Sequence, residues 1–256
     1  MNSRLARQLV YGGVFFAIIF FTVIGIYARN FRAAPSCFDG KLNQEEEAVD
    51  CGGPCEDCAL KSLERIIARG ELVVVGNSAS AVLRFTNPNI FYGAPRFTYT
   101  VRFYNHQNEV IQTLQQETFI YPAQINKTII EANLSLPIAD LGFDPEVSVS
   151  NPEWRSAREF SQPATALRQK SYKFSDTKNA VEVSGILINQ DTGTIPEAEV
   201  GAIIYGAGQR FAGTSKTLLL NLDPFSERFF KIIIPIESAA GVNLEKTEII
   251  VNANRR

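Results

Sequence analysis

The sequence of 256 residues predicts a mainly β protein with an N-terminal transmembrane helix, a small cysteine-rich knuckle and two tandem β-sandwich domains. Twenty residues near the N-terminus carry no charge, and all four cysteines fall within the 22 residues 37–58 shortly after them. Short runs of alternating hydrophobic and polar residues then occupy the rest of the chain. Such alternation over four to eight residues is typical of strands that bury one face.

Charge is distributed unevenly along the chain, although the formal net charge is only −2. Residues 1–36 contain four Arg and no acid, whereas residues 37–58 contain seven acids and one Lys. Residues 59–256 are balanced, with 20 basic and 20 acidic side chains. Because a nucleic-acid-binding protein needs a concentrated basic surface, we expect no nucleic acid partner.

Residues 9–28 are predicted to cross the cytoplasmic membrane as a single uncleaved helix. They carry no charge, match the length of about 20 residues that spans a bilayer core, and place Tyr11 and Tyr27 near the two ends. A cleaved signal peptide is the main alternative, but its apolar region is shorter and ends in small residues. A helix buried in a soluble core is disfavoured, because apolar residues cover every face.

Charge does not settle the orientation of this helix, since two Arg precede it and two follow it. The cysteines favour one orientation, because disulfides form outside the cytoplasm. We therefore expect residues 1–8 to form a cytoplasmic tail and the domains after the helix to lie outside the cell membrane.

The knuckle, residues 37–58, contains the four cysteines in the spacing C-x13-C-x3-C-x2-C, at Cys37, Cys51, Cys55 and Cys58. Two disulfides are the favoured interpretation, and the sequence does not choose among the three possible pairings. The Gly52-Gly53-Pro54 turn brings Cys51 and Cys55 near each other. Zinc is the alternative, although a zinc ribbon uses two close cysteine pairs and the nearby acids would weaken thiolate ligation. Free thiols are the third possibility.

Oxygen-bearing side chains between the cysteines predict a calcium site. Calcium takes six to eight hard oxygen ligands from a short flexible loop. Carboxylates, one amide and backbone carbonyls supply such ligands here, the side chains being Asp39, Asn43, Glu46 and Asp50. Their order is not that of an EF-hand. A solvated acidic linker is the simpler alternative.

The knuckle resembles a short cysteine-rich repeat found in large bacterial surface and secreted proteins. The resemblance covers the pattern C-x-DG-x-x-N-x-x-E-x-x-VDCGG-x-C-x-x-C from Cys37 to Cys58. It implies a disulfide-closed, calcium-binding module on the cell exterior. Glu45 stands where that family often has Asp.

A short helix is predicted over residues 59–69, between the knuckle and the first strand. Leu60, Leu63, Ile66 and Ile67 fall on one helical face, Asp57 is a cap residue, and Gly70 ends the pattern.

The two sandwiches are predicted over residues 71–154 and 179–253, joined by a linker at 155–178 that contains one strand at Ser171–Phe174. Their patterns run in register: Asn87 matches Asn189, Tyr104 matches Tyr205, and Pro122 matches Pro224. This register predicts an internal duplication. The size and strand spacing of each copy are typical of an immunoglobulin-like β-sandwich, without the cross-sheet cysteine pair of antibody domains.

The second half resembles the bacterial FxLyD-type sandwich. The matching residues are Val183, Gly185, Leu187, Asn189, Val200, Ala202, Ile203, Ile204, Tyr205, Pro224 and Phe229. Gly206 departs from the family, which prefers Asp there. The resemblance implies an extracytoplasmic β-sandwich, and the first half matches it more loosely.

No catalytic motif is present, and His106 is the single histidine of the chain. A Ser-His-Asp site, a phosphate-binding loop and a zinc-protease motif are all missing from the sequence. We therefore expect a binding or scaffolding module rather than an enzyme, with a protein or cell-envelope partner. An accessory subunit of an envelope secretion or pilus machine is the second hypothesis, and an unrecognised hydrolase is the third.

Overall fold

The structure is a computed structural model that describes residues 3–30, 36–175 and 179–255. The chain divides into two compact units, Met1–Ser62 and Leu63–Arg256, which are described separately below.

The first unit contains the apolar helix α1 (Ser3–Asn30) and the disulfide knuckle. Within α1 the segment Arg7–Tyr27 is long and apolar enough to cross a bilayer, and none of it is buried in protein. A signal sequence would meet the same criteria of length and composition. The knuckle has turns, one bridge between Ala48 and Cys51, and a single 3-10 turn at Cys58–Ser62.

The second unit begins with a six-stranded sandwich. Its strands are β1 (Ile67–Val75), β2 (Ser78–Thr86), β3 (Tyr92–Tyr104), β4 (Val110–Ile120), β5 (Lys127–Leu134) and β6 (Glu146–Ser156). Two three-stranded antiparallel sheets form, in the orders β1-β2-β5 and β4-β3-β6. They bury a shared apolar core between them, including Phe85 of β2 and Phe97 of β3, whose ring centroids are 5.4 Å apart.

A second six-stranded sandwich follows. Its strands are β7 (Thr165–Phe174), β8 (Ala180–Asn189), β9 (Ile195–Tyr205), β10 (Phe211–Leu222), β11 (Glu227–Pro235) and β12 (Asn243–Asn254). The antiparallel sheets have the orders β11-β8-β7 and β10-β9-β12, the same arrangement as in the first sandwich. Their own core contains Leu187, Ile204 and Phe230. The predicted mainly β fold with two β-sandwiches is therefore confirmed.

A third apolar cluster joins the two sandwiches. Val82 and Ile130 of sheet β1-β2-β5 pack with Ile203 of sheet β10-β9-β12, and all three side chains are buried. Gly201 permits this close approach, because a Cβ atom at that position would lie 2.6 Å from Ile130 Cδ1. The four sheets consequently stack as layers, and the sandwiches form one packed body.

The predicted helix at residues 59–69 is wrong. Within this range the only helical residues belong to the 3-10 turn Cys58–Ser62. The chain enters β1 at Ile67, which pairs with Thr86. Ile66 is buried whereas Ile67 is 53% exposed, so the two side chains point in opposite directions as they do in a strand. Pairing of residues 67–69 with β2 overrides the local helical pattern at the end of this range.

The linker predicted at residues 155–178 is too long, although the strand expected within it at Ser171–Phe174 does lie in β7. β6 continues to Ser156, and β7 occupies Thr165–Phe174 as a full member of the second sandwich. Leu167 and Tyr172 of β7 pack against the core of that sandwich. The connection between the sandwiches is therefore limited to residues 157–164.

Candidate functional sites

The knuckle is closed by two disulfides, Cys37–Cys55 and Cys51–Cys58, which confirms the disulfide prediction. The pairing is interleaved along the chain, and it does not join Cys51 to Cys55 across the glycine turn. Gly52 and Gly53 both have positive φ, and a Cβ at Gly52 would lie 2.6 Å from Glu47 Cβ. Glycine is therefore required at this turn, since other residues rarely adopt that conformation.

The four predicted calcium ligands lie in the knuckle, and the three carboxylates among them accept hydrogen bonds from its backbone. Asp50 Oδ1 accepts hydrogen bonds from the backbone N–H groups of Asp39 and Gly40, both at 3.0 Å. Glu46 Oε2 accepts hydrogen bonds from the N–H groups of Asn43 and Asp50, at 3.2 and 3.3 Å. The Asn43 amide donates to Asp39 at 3.0 Å and holds the pKa of that exposed carboxyl below its usual value. These carboxylates therefore order the loop.

The side-chain oxygens of these four residues do not all lie around one point. Among the described residues, the group of potential metal ligands that comes within 4.8 Å consists of Cys37, Glu46 and Cys55, and both sulfurs belong to a disulfide. One observation fits a cation nonetheless: Asn43 Oδ1 is buried and has no hydrogen-bond partner in the described part of the chain. A buried amide oxygen without a donor is costly, and a hard cation would satisfy it.

A cleft of about 670 Å³ lies between the two sandwiches. Its walls come from β3, β4 and β5 of the first sandwich and from β9, β10 and β12 of the second. The third apolar cluster joins the two sandwiches through β5 and β9, and both of these strands also contribute residues to the cleft. A volume of this size is in the range of small-molecule and short peptide sites.

The centre of the cleft contains a chain of polar contacts that crosses from one sandwich to the other. Tyr99 Oη donates to Glu131 Oε1 at 2.6 Å. Lys216 Nζ lies 2.8 Å from Glu199 Oε2 and 4.0 Å from Glu131 Oε1. Burial, together with the adjacent Glu131 carboxylate, raises the pKa of Tyr99, so its hydroxyl remains a donor. The Lys216 ammonium thus occupies the space between two carboxylates.

Lys127 forms part of the wall beside β4. The residue is only 2% exposed, and its Nζ lies 3.1 Å from the centroid of the Phe119 ring, which is a cation–π contact. Phe119 packs edge-on against Tyr121. The Tyr121 hydroxyl donates to the Ala253 carbonyl of the second sandwich at 2.8 Å, and its burial raises the pKa of the phenol.

Carboxylates outnumber ammonium groups in the lining, at four to two. The acids are Glu117, Glu131, Glu197 and Glu199, and the bases are Lys127 and Lys216. Asn254 and Asn252 face Glu197 and Glu199 across the β12–β9 ladder, so these four side chains share one face of the sheet. Asn252 donates to the Thr128 carbonyl at 2.7 Å, whereas Asn254 Oδ1 is buried without a hydrogen-bond partner among the described residues. The cleft therefore presents an excess of hydrogen-bond acceptors.

Sequence reasoning did not find this cleft. Its side chains come from six strands in both halves of the chain, so no local motif connects them. One local signal was present: Lys127 begins a strand whose next residues are buried, and a lysine is rarely buried without a specific environment.

No protein-family model matches the chain, and no curated protein matches it. Among solved structures, the chain is similar to the transglutaminase of red sea bream at a TM-score of 0.24 and 11% sequence identity. The match covers 75% of this chain and 30% of the transglutaminase. A likeness at this score carries no conclusion about fold or function.

Proposed function

We propose that this chain is a single-pass membrane protein that displays two β-sandwiches outside the cytoplasm, for binding at the cell envelope. Two features support the proposal. The apolar helix α1 has the length of a membrane span, and the knuckle cysteines are paired as in proteins of oxidising compartments. Residues 1–8 would then be cytoplasmic.

The cleft between the sandwiches is the recognition site in this proposal, and it is the single observation that carries the binding function. Its walls belong to two sandwiches that share a buried cluster, so the site does not need to be assembled when a partner arrives. Pre-formed sites lose less free energy to ordering on binding. Tyr99 donates a hydrogen bond to Glu131, and Lys216 forms a close ion pair with Glu199. Central groups that are engaged with one another suit recognition better than proton transfer, so we propose that the chain is not an enzyme.

We further propose that the sandwiches are two copies of one domain, of the FxLyD-like type found in bacteria. The equal strand orders support this. Asn87 and Asn189 are both fully buried, and each amide donates to one carbonyl shortly after it in sequence and to another more than 30 residues later. The hydroxyl of Tyr104 donates to Glu146, and that of Tyr205 donates to Glu248 at 2.8 Å in the matching place.

Site-specific photo-crosslinking in the native cells tests the binding proposal. A photoreactive residue in place of Gln116, which lines the cleft, should capture a partner. The same residue in place of Lys231, which lies on β11 outside the cleft, is the matched control. An adduct confined to the Gln116 position is expected. Equal adducts at both positions, or none at Gln116, would refute a cleft-centred binding function.

Calcium binding by the knuckle remains a second proposal, supported by the buried Asn43 Oδ1 without a donor. When bound, calcium would be held by oxygens of Asp39, Asn43, Glu46 and Asp50 and would stabilise the folded loop. Titration calorimetry on the full-length protein in detergent should show heat at millimolar calcium, and Asp50→Asn should weaken it. The absence of heat for the unmodified protein would exclude the site.

A further inference from the structure

Strand β4 is an edge strand, and the cleft runs along its open edge. β4 pairs with β3 on one side, and no described strand pairs with its other side. Four consecutive residues of β4, Gln116 to Phe119, line the cleft. Successive side chains of a strand point to opposite faces, so four in a row can line one cavity only if the cavity also borders the backbone. On β5 and β12, by contrast, alternate residues line it.

An open strand edge presents backbone N–H and C=O groups that are available for a further strand. In an antiparallel sheet, about half of the backbone groups of an edge strand point away from its partner. Natural edges are usually protected by charge, by bulges or by a covering segment. The exposed residues Gln115, Gln116 and Glu117 leave this stretch of β4 polar and uncovered within the described chain. An extended peptide is the ligand that such an edge can recognise through its backbone.

The side chains around this edge specify the charge of the ligand. Glu117 on β4 and Glu197 on β9 are both exposed, and neither is engaged in an ion pair within 4 Å among the described residues. The inner carboxylates are already satisfied by Tyr99 and Lys216. The outer cleft is thus an array of acceptors that complements ammonium or guanidinium groups.

A saccharide is a poorer match for this lining. Sugar rings are commonly held against an exposed aromatic face, but the aromatic residues of the cleft, Tyr99 and Phe119, are 2% and 9% exposed. One face of the Phe119 ring is already covered by the Lys127 ammonium. The cleft therefore lacks an open aromatic platform in the described part of the chain.

We propose that the cleft binds an extended peptide segment with basic side chains, which adds to the open edge of β4 as a further strand. The peptide backbone pairs with β4 next to Gln116–Phe119, and alternate Lys or Arg side chains reach Glu117 and Glu197. This inference rests on the proposed function, since it assigns a ligand class to the same cleft.

Fluorescence anisotropy on the full-length protein in detergent micelles tests the inference with synthetic probes. The first probe is a labelled eight-residue peptide of alternating Lys and Val. The second is the same peptide with all backbone nitrogens methylated, which keeps the charge but removes every backbone donor, including those that face β4. The third is the Glu-Val peptide of equal length. Only the first should bind well, and loss of two backbone hydrogen bonds should weaken the methylated peptide at least about tenfold.

Glu117→Gln and Glu197→Gln test the charge contribution, and Glu245→Gln on β12 is the matched control because it lies outside the cleft lining. Each cleft substitution should weaken the Lys-Val peptide about fivefold, and salt should weaken it further, whereas the control should leave affinity unchanged. Equal binding of the methylated peptide would refute strand addition. Equal binding of the Glu-Val peptide, or insensitivity to both cleft substitutions, would refute the basic ligand.

The proposed function and the peptide inference fail in different ways. If no probe binds but the Gln116 position still captures a partner in cells, the cleft is a binding site for another ligand class and the peptide inference is wrong. If neither probe binding nor capture occurs, both proposals are wrong.

Discussion

Asn189 lies at the end of β8, and its replacement provides a quantitative test of the second sandwich. The side chain is fully buried, and its amide nitrogen donates to the carbonyls of Gly193, Leu222 and Asp223 at 2.8, 3.1 and 3.0 Å. Its oxygen accepts the backbone N–H of Asp191 at 3.0 Å. One amide therefore ties the end of β8 to the turn that follows it and to the loop after β10.

Asn189→Asp changes the hydrogen bonding with almost no change of shape. The new carboxylate oxygen would face three carbonyl oxygens, and no proton would be available for them. Loss of two donated hydrogen bonds costs about 2 kcal/mol, and burial of an ionised group among acceptors adds about 2 kcal/mol or more. The total of about 4 kcal/mol is large compared with a typical free energy of unfolding of about 5–15 kcal/mol.

Urea unfolding of the full-length protein in detergent measures this loss. With a slope of about 2 kcal/mol per molar urea, the midpoint should fall by about 2 M. Trp154, the single tryptophan, lies on β6 and packs against the core of the first sandwich, so its fluorescence reports on the other sandwich. Because the third apolar cluster joins the sandwiches, the Trp154 transition should move together with the circular dichroism of the whole chain.

Two results would refute this reasoning. A midpoint within about 0.5 M of the unmodified protein, or about 1 kcal/mol, would show that the buried amide does not carry the expected hydrogen bonds. A shift in circular dichroism without a shift in Trp154 fluorescence would show that the sandwiches unfold independently. Asn87→Asp is the matched variant in the first sandwich, where the amide donates to the carbonyls of Tyr92 and Tyr121 at 2.7 and 3.0 Å.

Two further predictions concern contacts between the two sandwiches, and a third concerns the disulfides of the knuckle. Gly201→Val should destabilise the chain by about 1–3 kcal/mol, because the Val side chain would collide with Ile130. In a double-mutant cycle, Ile130→Ala should restore part of that loss, and additive effects of the two substitutions would contradict the contact. Tyr121→Phe should lower the free energy of unfolding by about 1 kcal/mol, because the Ala253 carbonyl loses a donor; an unchanged urea midpoint would count against that hydrogen bond. When the protein from its native host is alkylated without reduction, its intact mass should show no modified cysteine, and proteolytic mapping should recover Cys37 linked to Cys55. Four alkylated cysteines would instead place the knuckle in the cytoplasm.

Most of the strands could be predicted from the sequence, because their pattern is local. The alternation in Phe97–Tyr104 of β3 and in Val181–Ile188 of β8 follows directly from the burial of one face. The helix predicted at residues 59–69 is wrong because its local pattern was misleading. The spacing of Leu60, Leu63 and Ile67 satisfies a helical period, but the pairing of Ile67 with β2 depends on residues further along the chain that this pattern does not contain.

The sequence by itself determined the apolar helix, the confinement of all cysteines to one short segment, and the matching positions of Asn87 and Asn189. These features depend on residue type and on short spacings. Tertiary structure alone decided the pairing of Cys37 with Cys55, because the Gly52-Gly53 turn is compatible with other pairings. It also decided the cleft, since Glu131 and Lys216 come from different halves and meet only after Ile130 and Ile203 pack the two sandwiches together. Contacts between the outer faces of different sheets leave no periodic signal in the chain, and they become visible only when the sheets are stacked.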